Sequence, residues 1–284
     1  MNSTGGRPFL QAKQRESIAR KEENLDFPLH LHNAVELVLM LSGRTTVLYE
    51  GRRLPVSGGE LFLAFPDRIH GYEDSRGSES IVFIIPLHPY LSEFREILER
   101  KLPVDPVLHA GEWEHTQVRQ LLEMAEREWM QAGSKVTHGY AMLIMAKLLP
   151  LLKLQDAPSG SINALQAVLL YLNRHYTQPL TRQSIAAAVG YHESYISHLF
   201  SEAMHTTLTD YINALRVEDA VYLLSGTDLT SGQIAEELGF GCQRSFNRVF
   251  FRHMHMTPSA CRAAARAGKM RSDGVDRGNR LLFG

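Results

Sequence analysis

Cysteine is nearly absent from this chain: there are two in 284 residues, Cys242 and Cys261. Two thiols build neither a disulfide framework nor a four-cysteine zinc site, and such sparing use suits the reducing cytoplasm. Cys242 is expected as a small buried or half-buried thiol. Net charge is nearly absent as well, formally −1, so no chain-wide positive field marks a nucleic-acid binder. Long apolar runs are missing. The most apolar stretch, 141–154, is interrupted by Lys147, Pro150 and Lys153 and is too short to span a bilayer, so no membrane partner is expected. Residues 1–24 are polar and charged, lack the apolar centre of a secretion signal, and are expected to be flexible. No phosphate-cradling glycine loop, nucleophile elbow or pair of catalytic acids has its signature here, which argues against an enzyme.

What charge there is has been arranged. From Phe240 onward, nine lysines and arginines stand against two acids, Asp273 and Asp276. Local positive charge of this kind neutralises phosphate. Its last part, 269–284, mixes arginine with Gly, Asp and Asn and reads as a basic flexible tail.

The same region states one pattern twice. Ile185-Ala186, Val189-Gly190-Tyr191 and Ile196-x-x-Leu199-Phe200 are echoed about 50 residues later by Ile234-Ala235, Leu238-Gly239-Phe240 and Phe246-x-x-Val249-Phe250. Each copy reads as a short helix, a glycine-centred turn and a second helix, the form of a helix-turn-helix. Thr181 and Thr230 can cap the first helices, and Gln233 completes a Thr-x-x-Gln capping box. Gly190 and Gly239 can take the left-handed backbone that ends a helix. Ile196, Leu199 and Phe200, like Phe246, Val249 and Phe250, form a core face.

The outer faces differ. Copy one shows Ser194, Ser197, His198 and Ser201; copy two shows Gln243, Arg244, Asn247, Arg248 and Arg252. Arginine donates two hydrogen bonds to guanine and asparagine pairs with adenine in the major groove. Copy two is therefore expected to supply most base contacts. Copy one is expected to make hydroxyl or shape contacts, with Glu193 opposing phosphate. Docked rigidly on double-stranded DNA, the pair would reach two successive major grooves about 34 Å apart. This reading domain spans 162–268.

The first half reads differently. Residues 25–90 carry short strands, 35–41, 45–49, 53–56, 61–65 and 81–87, with a hairpin turn at Glu50-Gly51-Arg52. Closely spaced strands argue for a small barrel or jelly roll. Residues 91–154 are helical, over 91–101, 112–131 and 136–154; the last is apolar nearly all round and must pack on two sides, so that 112–131 and 136–154 either form a homodimer interface together or pack on the barrel and the reading domain. Residues 155–161 are a linker by composition. The fold class is α+β: a barrel with appended helices, then an all-α reading domain.

One constellation in the barrel carries chemistry. His30 and His32 stand two apart, Glu36 follows, and His70 can return from a neighbouring turn. Three imidazoles and a carboxylate can hold Zn, Ni, Mn or Fe(II). They can equally serve as polar groups that hydrogen-bond a small molecule, or be satisfied locally.

Two resemblances rest on these residues. His30-x-His32-x-x-x-Glu36-x6-Gly43 resembles the first motif of the cupin barrels. Gly59 and His70 fit the second, while Phe65 and Asp67 stand where proline and glycine are usual and Asp74 replaces asparagine; Asn24 stands at the entry glycine. In cupin enzymes the residues matching His30, His32, Glu36 and His70 bind the metal. The tandem helix-turn-helix resembles the AraC/XylS family of bacterial transcription regulators. The segment 215–224 is similar to that family's linker helix; Gly239-Phe240, Phe246-x-Arg248-x-Phe250, Met256-Thr257-Pro258-Ser259 and Arg262 are similar to its most specific stretch. Cys242 sits where a serine-like cap is usual. The resemblance implies a regulator with a cupin-like effector domain, a small-molecule effector such as a sugar or other metabolite, a homodimer, and RNA polymerase as a further partner if the protein activates. The alternative is a metal-dependent cupin enzyme, an oxygenase or isomerase, with a DNA-binding appendage.

Overall fold

The computed structural model describes residues 17–88, 90–157 and 164–267, so the tail 269–284 lies outside the described residues. Two compact units emerge, divided at Ile162.

In the first unit, β1 (Ile18–Glu23), β2 (Phe27–His30), β3 (Ala34–Ser42), β4 (Arg44–Tyr49), β5 (Arg52–Ser57), β6 (Leu61–Ala64), β7 (His70–Glu73) and β8 (Glu79–Pro86) precede α1 (Arg95–Arg100). Then come β9 (Lys101–Pro103), β10 (Val107–Leu108), α2 (Ala110–Trp113), α3 (Val118–Leu148) and β11 (Leu154–Asp156). A five-stranded sheet runs β1-β8-β3-β6-β10, a four-stranded sheet runs β2-β7-β4-β5, and β11 pairs with β9. All pairings are antiparallel.

The larger sheet is covered on both faces. Val38, Met40, Phe62, Ala64, Val82 and Ile84 form one core with Val47, Val56 and Tyr72 of the smaller sheet. Leu37, Leu39, Leu61, Leu63, Ile81 and Phe83 form the other with Val118, Leu122, Ile144 and Met145 of α3. A strand buried on both faces needs no polar alternation, which is why 35–41 reads as an unbroken apolar run. The hairpin turn between β4 and β5 is Glu50-Gly51, both at positive φ (49° and 77°), the two-residue form that matches strand twist.

Several expectations are corrected. Residues 18–23, read as flexible, form β1 at the sheet edge, where charged side chains face water and Ala19 alone is buried. The barrel therefore begins before residue 25 and draws β10 from beyond residue 90. The linker read over 155–161 starts inside β11, tied to β9 by Lys101 Nζ donating to Asp156 Oδ1 at 2.7 Å. β2 and β7 were not legible, being four residues each and rich in His, Pro and Gly.

The run α3 is unbroken in its backbone pattern but is not one rod. Lys147 Nζ donates to Gln117 Oε1 at 3.4 Å, and Tyr140 Oη donates to Glu128 Oε2 at 2.8 Å. In a straight helix these pairs would lie about 45 and 18 Å apart along the axis. The run therefore doubles back between 128 and 140 as two antiparallel arms, in keeping with the two separate helices expected over 112–131 and 136–154. The first arm starts at Val118, later than the expected 112; the short α2 precedes it.

The second unit is α4 (Ala164–His175), α5 (Arg182–Val189), α6 (Glu193–Met204), α7 (Leu208–Gly226), α8 (Ser231–Glu237), α9 (Gln243–Met254) and α10 (Pro258–Arg266). Thr181 accepts from Ser184 N and Thr230 from Gln233 N, each within a capping box. The repeat runs further than its motifs: His205 and His255 end α6 and α9 at φ 51° and 52°, and Thr207 and Thr257 cap the next helices. α7 serves both repeats. Tyr211 packs on Phe200 of the first, while Val217, Ala220, Val221 and Leu224 join the core of the second. This double duty buries α7 on nearly all sides.

Candidate DNA interface and effector site

The two recognition helices, α6 and α9, are oriented by their buried faces. Ile196 and Phe200 are buried on α6, with Leu199 half-buried; Phe246, Val249 and Phe250 are buried on α9. What remains outward on α9 is Gln243, Arg244, Asn247, Arg248 and Arg252, all exposed. The guanidinium groups of Arg244 and Arg248 form no ion pair or hydrogen bond among the described residues. Arg252 donates to Asp210 Oδ1 at 3.0 Å, so its guanidinium braces α9 against the start of α7.

On α6, Ser194, His198 and Ser201 are exposed as expected. Ser197 is not an outward residue: it is half-buried, and its hydroxyl oxygen is shielded and has no partner. It adjoins Ile196 at the border of the core face. Glu193, the acid read as opposing phosphate, is partly compensated by Arg182 at 3.3 Å, and a further acid on α6, Glu202, pairs with His198 at 3.3 Å. Tyr191 and Tyr195 are exposed at the head of α6 with ring centroids 5.5 Å apart, an aromatic feature that the polar-stripe reading missed.

Two residues of the basic run have other work. Arg262 donates to Thr227 O and Leu229 O, closing the loop between α7 and α8, and Arg266 pairs with Asp228. Cys242, expected buried or half-buried, is exposed at the N-cap of α9, one residue beyond Gly241 at φ 71°. Hydrogen bonding to Ser245 holds its thiol below the ordinary range, whereas burial pushes the Cys261 thiol up to about 11.

In the first unit, His30, His32, Glu36 and His70 do converge. All four are buried, and their ligand atoms lie within 4.8 Å of one another. β3 points Glu36 into the space between the sheets, on the parity of Val38 and Met40. His30 of β2 sits opposite His70 of β7 in register. His32 lies in the connection after β2, not on the strand. Asp67, at φ 61°, braces that connection: its amide donates to His32 O at 2.9 Å, and its carboxylate accepts from Asn33. Asn24 and Asp74 also take positive φ, 53° and 57°, so each departure from a cupin glycine or asparagine is a residue type that tolerates the left-handed backbone.

The site has a fifth member. Tyr72 Oη donates to Glu36 Oε1 at 2.6 Å, while Glu36 Oε2 faces His32 Nε2 at 2.9 Å and His70 Nε2 at 3.4 Å. Its signal was its place two after His70, on the same side of a strand. Burial alone would push the Glu36 carboxyl up; hydrogen bonds and charge from His32 and His70 outweigh it and hold the group well below the usual carboxylate range. Burial, the Glu36 charge and the hydrogen bond to it drive the Tyr72 phenol well above its ordinary value.

One hydrogen bond tests whether a metal fits. His70 Nδ1 lies 2.8 Å from Arg68 O, a carbonyl that can only accept, so Nδ1 carries the proton. In the neutral ring Nε2 is then a bare lone pair aimed at a carboxylate oxygen. A lone pair facing a carboxylate oxygen calls for a positive centre between them, met either by a proton on Nε2, the form in which His70 donates to Glu36, or by a bound cation. The carbonyl is also the kind of outer partner that orients metal-binding histidines. His32 Nδ1 is buried without a partner. The residues present fit a divalent ion.

A barrel with a buried polar cluster, joined to two helix-turn-helix units that share one helix, defines a DNA-binding regulator with a ligand-binding domain. The comparisons agree. Residues 15–152 match the AraC-like ligand binding domain and residues 185–264 match a helix-turn-helix domain. The regulatory protein SoxS of Escherichia coli (strain K12) is 35% identical over 95 residues, covering 34% of this chain and 89% of SoxS. The HTH-type transcriptional activator RhaS of Salmonella schwarzengrund is 26% identical over 262 residues, 88% of this chain and 92% of RhaS. The HTH-type transcriptional regulator YijO of Escherichia coli (strain K12) is 33% identical over 147 residues, so the match spans only 51% of YijO's length. The structure of apo ToxT from Vibrio cholerae aligns with a TM-score of 0.46 at 10% identity, over 89% of this chain and 99% of that one. The chain belongs to the AraC/XylS family of transcription regulators. No helix among the described residues is long and apolar enough to cross a membrane.

Proposed function

We propose that this regulator works in the cytoplasm, reads an asymmetric operator across two successive major grooves, and takes most of its base specificity from α9. The observation that carries this reading is the contrast in free donors. Arg244 and Arg248 are exposed and unpaired, whereas the charged groups on α6 are acids or are engaged by acids. Genome-wide mapping of bound sites tests it. Arg248→Ala should erase most sites and His198→Ala few; equal losses would overturn the assignment to α9.

The barrel cluster is the effector site in this reading. His30, His32, Glu36 and His70 would hold a divalent ion of the Zn, Ni, Mn or Fe(II) class, with Tyr72 fixing one carboxylate oxygen. When bound, such an ion supplies a Lewis-acid anchor for an oxygen of a small-molecule metabolite. Metal analysis of the purified protein, beside His70→Ala, tests this: bound metal in the wild type and none in the variant is the expected result. Steady turnover of a bound metabolite would instead favour a cupin enzyme. The exposed Met124, Val136 and Leu143 on the α3 arms support a homodimer interface, which sedimentation of the full chain would show. If the protein activates, RNA polymerase is its further partner.

A further inference from the structure

A tandem repeat reads as two modules joined by a helix, but the two copies here also touch directly, through one buried joint. Arg216 lies on α7 and is almost fully buried. Its Nε donates to Tyr176 O at 2.7 Å and its Nη2 to Gln178 O at 2.9 Å, both in the loop between α4 and α5 of the first repeat. The same guanidinium stands 5.5 Å from the ring centroid of Phe240, in the turn of the second repeat. One turn further along α7, Asp219 accepts from the Tyr176 hydroxyl. Gly239 closes the joint from the other side. A Cβ there would lie 2.3 Å from Thr177 O, so backbone rests on backbone.

The repeat supplies its own control. Gly190 occupies the same turn in the first copy at nearly the same φ, 75° against 72°, yet a Cβ there would meet nothing within 4 Å. The left-handed turn explains why both positions are glycine. Only the joint explains why Gly239 has no room. A buried guanidinium held by two fixed carbonyls cannot slide without leaving charged donors and carbonyl acceptors unpaired.

We infer that Arg216, Tyr176, Asp219 and Gly239 lock α6 and α9 into one rotational phase, so that the protein accepts a single spacing between the two segments it contacts on DNA. Arg216 and Tyr176 are positioning residues: they act on the geometry of the recognition helices and touch no base. The inference rests on both repeats engaging DNA. Inserting one base pair rotates the second groove by about 34° about the duplex axis, a shift a rigid reader cannot follow and a hinged one can.

The test uses the full chain and duplexes selected by it from a random library, with one base pair then inserted or deleted between the two protected segments. Wild type should bind the shifted sites at least about tenfold more weakly. Tyr176→Phe and Arg216→Lys should bind the selected site less well and discriminate less between spacings; Arg216→Ala should do so most strongly. Loss of folded protein lowers binding to every duplex alike, so the ratio between spacings reports the joint rather than stability. If Arg216→Ala does not fold, the other two variants decide. Equal wild-type affinity for all spacings, or variants that keep the wild-type ratio, would overturn the joint while leaving the two-groove reading intact. Protection over one groove alone would overturn both.

Discussion

At equivalent places in the two helix-turn-helix repeats stand Ser194 and Arg244, His198 and Arg248, Glu202 and Arg252, yet Phe200 and Phe250 are both fully buried. The buried faces have kept one shape because both must fill the same kind of space against α7. The outward faces have no such constraint and carry opposite charge: two acids on α6, three arginines on α9. Duplication therefore preserved how the recognition helices are held and left free what they can read. The turn differs as well. The second copy has one extra residue, Gly241, and its N-cap is an exposed cysteine that makes no side-chain cap, whereas His192 accepts from Ser194 N in the first.

The largest effects should show where the repeats agree. Phe200→Ala and Phe250→Ala should each cost about 3–5 kcal/mol of stability in chemical denaturation. A difference of several kcal/mol between them would mean that the two cores are not equivalent. The next contrast separates the repeats. Gly239→Ala should cost about 3 kcal/mol or more, backbone strain plus overpacking against Thr177, while Gly190→Ala should cost only the strain of about 1–2 kcal/mol. Equal melting temperatures for the two variants would remove the evidence for the joint at Gly239. On DNA, Arg248→Ala should weaken specific binding by about 1–3 kcal/mol and His198→Ala by no more than about 0.5 kcal/mol, measured by anisotropy on selected duplexes at fixed salt. A histidine variant as damaging as the arginine one would make the repeats equal readers. The smallest effect is at the cap. Cys242→Ser should raise stability by about 0.5–1 kcal/mol and Cys242→Ala should not, because a hydroxyl accepts from the first-turn amides more strongly than the thiol does and alanine cannot accept at all. Matching melts for serine and alanine would show that α9 needs no cap.

Much of the reading unit was legible because its information is local. Thr181, Thr230 and Gly190 act on residues within one turn of themselves, as does Gly239 in ending its helix though not in its contact with Thr177, and the core faces follow from spacings of three and four. The charges were harder. Arg262 lies in the basic run with Arg248 and is the same residue type, but it closes a loop by way of carbonyls more than thirty positions away. In the barrel, His30, His32, Glu36 and His70 were found from spacing, while Tyr72 was not, since a tyrosine on a short strand carries no mark until the carboxylate it meets is known.

By itself, the sequence determined the repeat, its caps and turns, the doubly buried strands and the class of protein, all properties of segments shorter than about a dozen residues or of their recurrence. Tertiary structure alone decided which arginines are free, that α3 folds back on itself, that Asn24, Asp67 and Asp74 stand in for other residues at left-handed positions, and that Arg216 joins the two repeats. These depend on pairs that packing brings together from a dozen to more than fifty positions apart in the chain. The buried ones among them, Arg216 with the carbonyls of Tyr176 and Gln178 above all, persist because burial makes an unpaired charge or carbonyl too costly to leave alone.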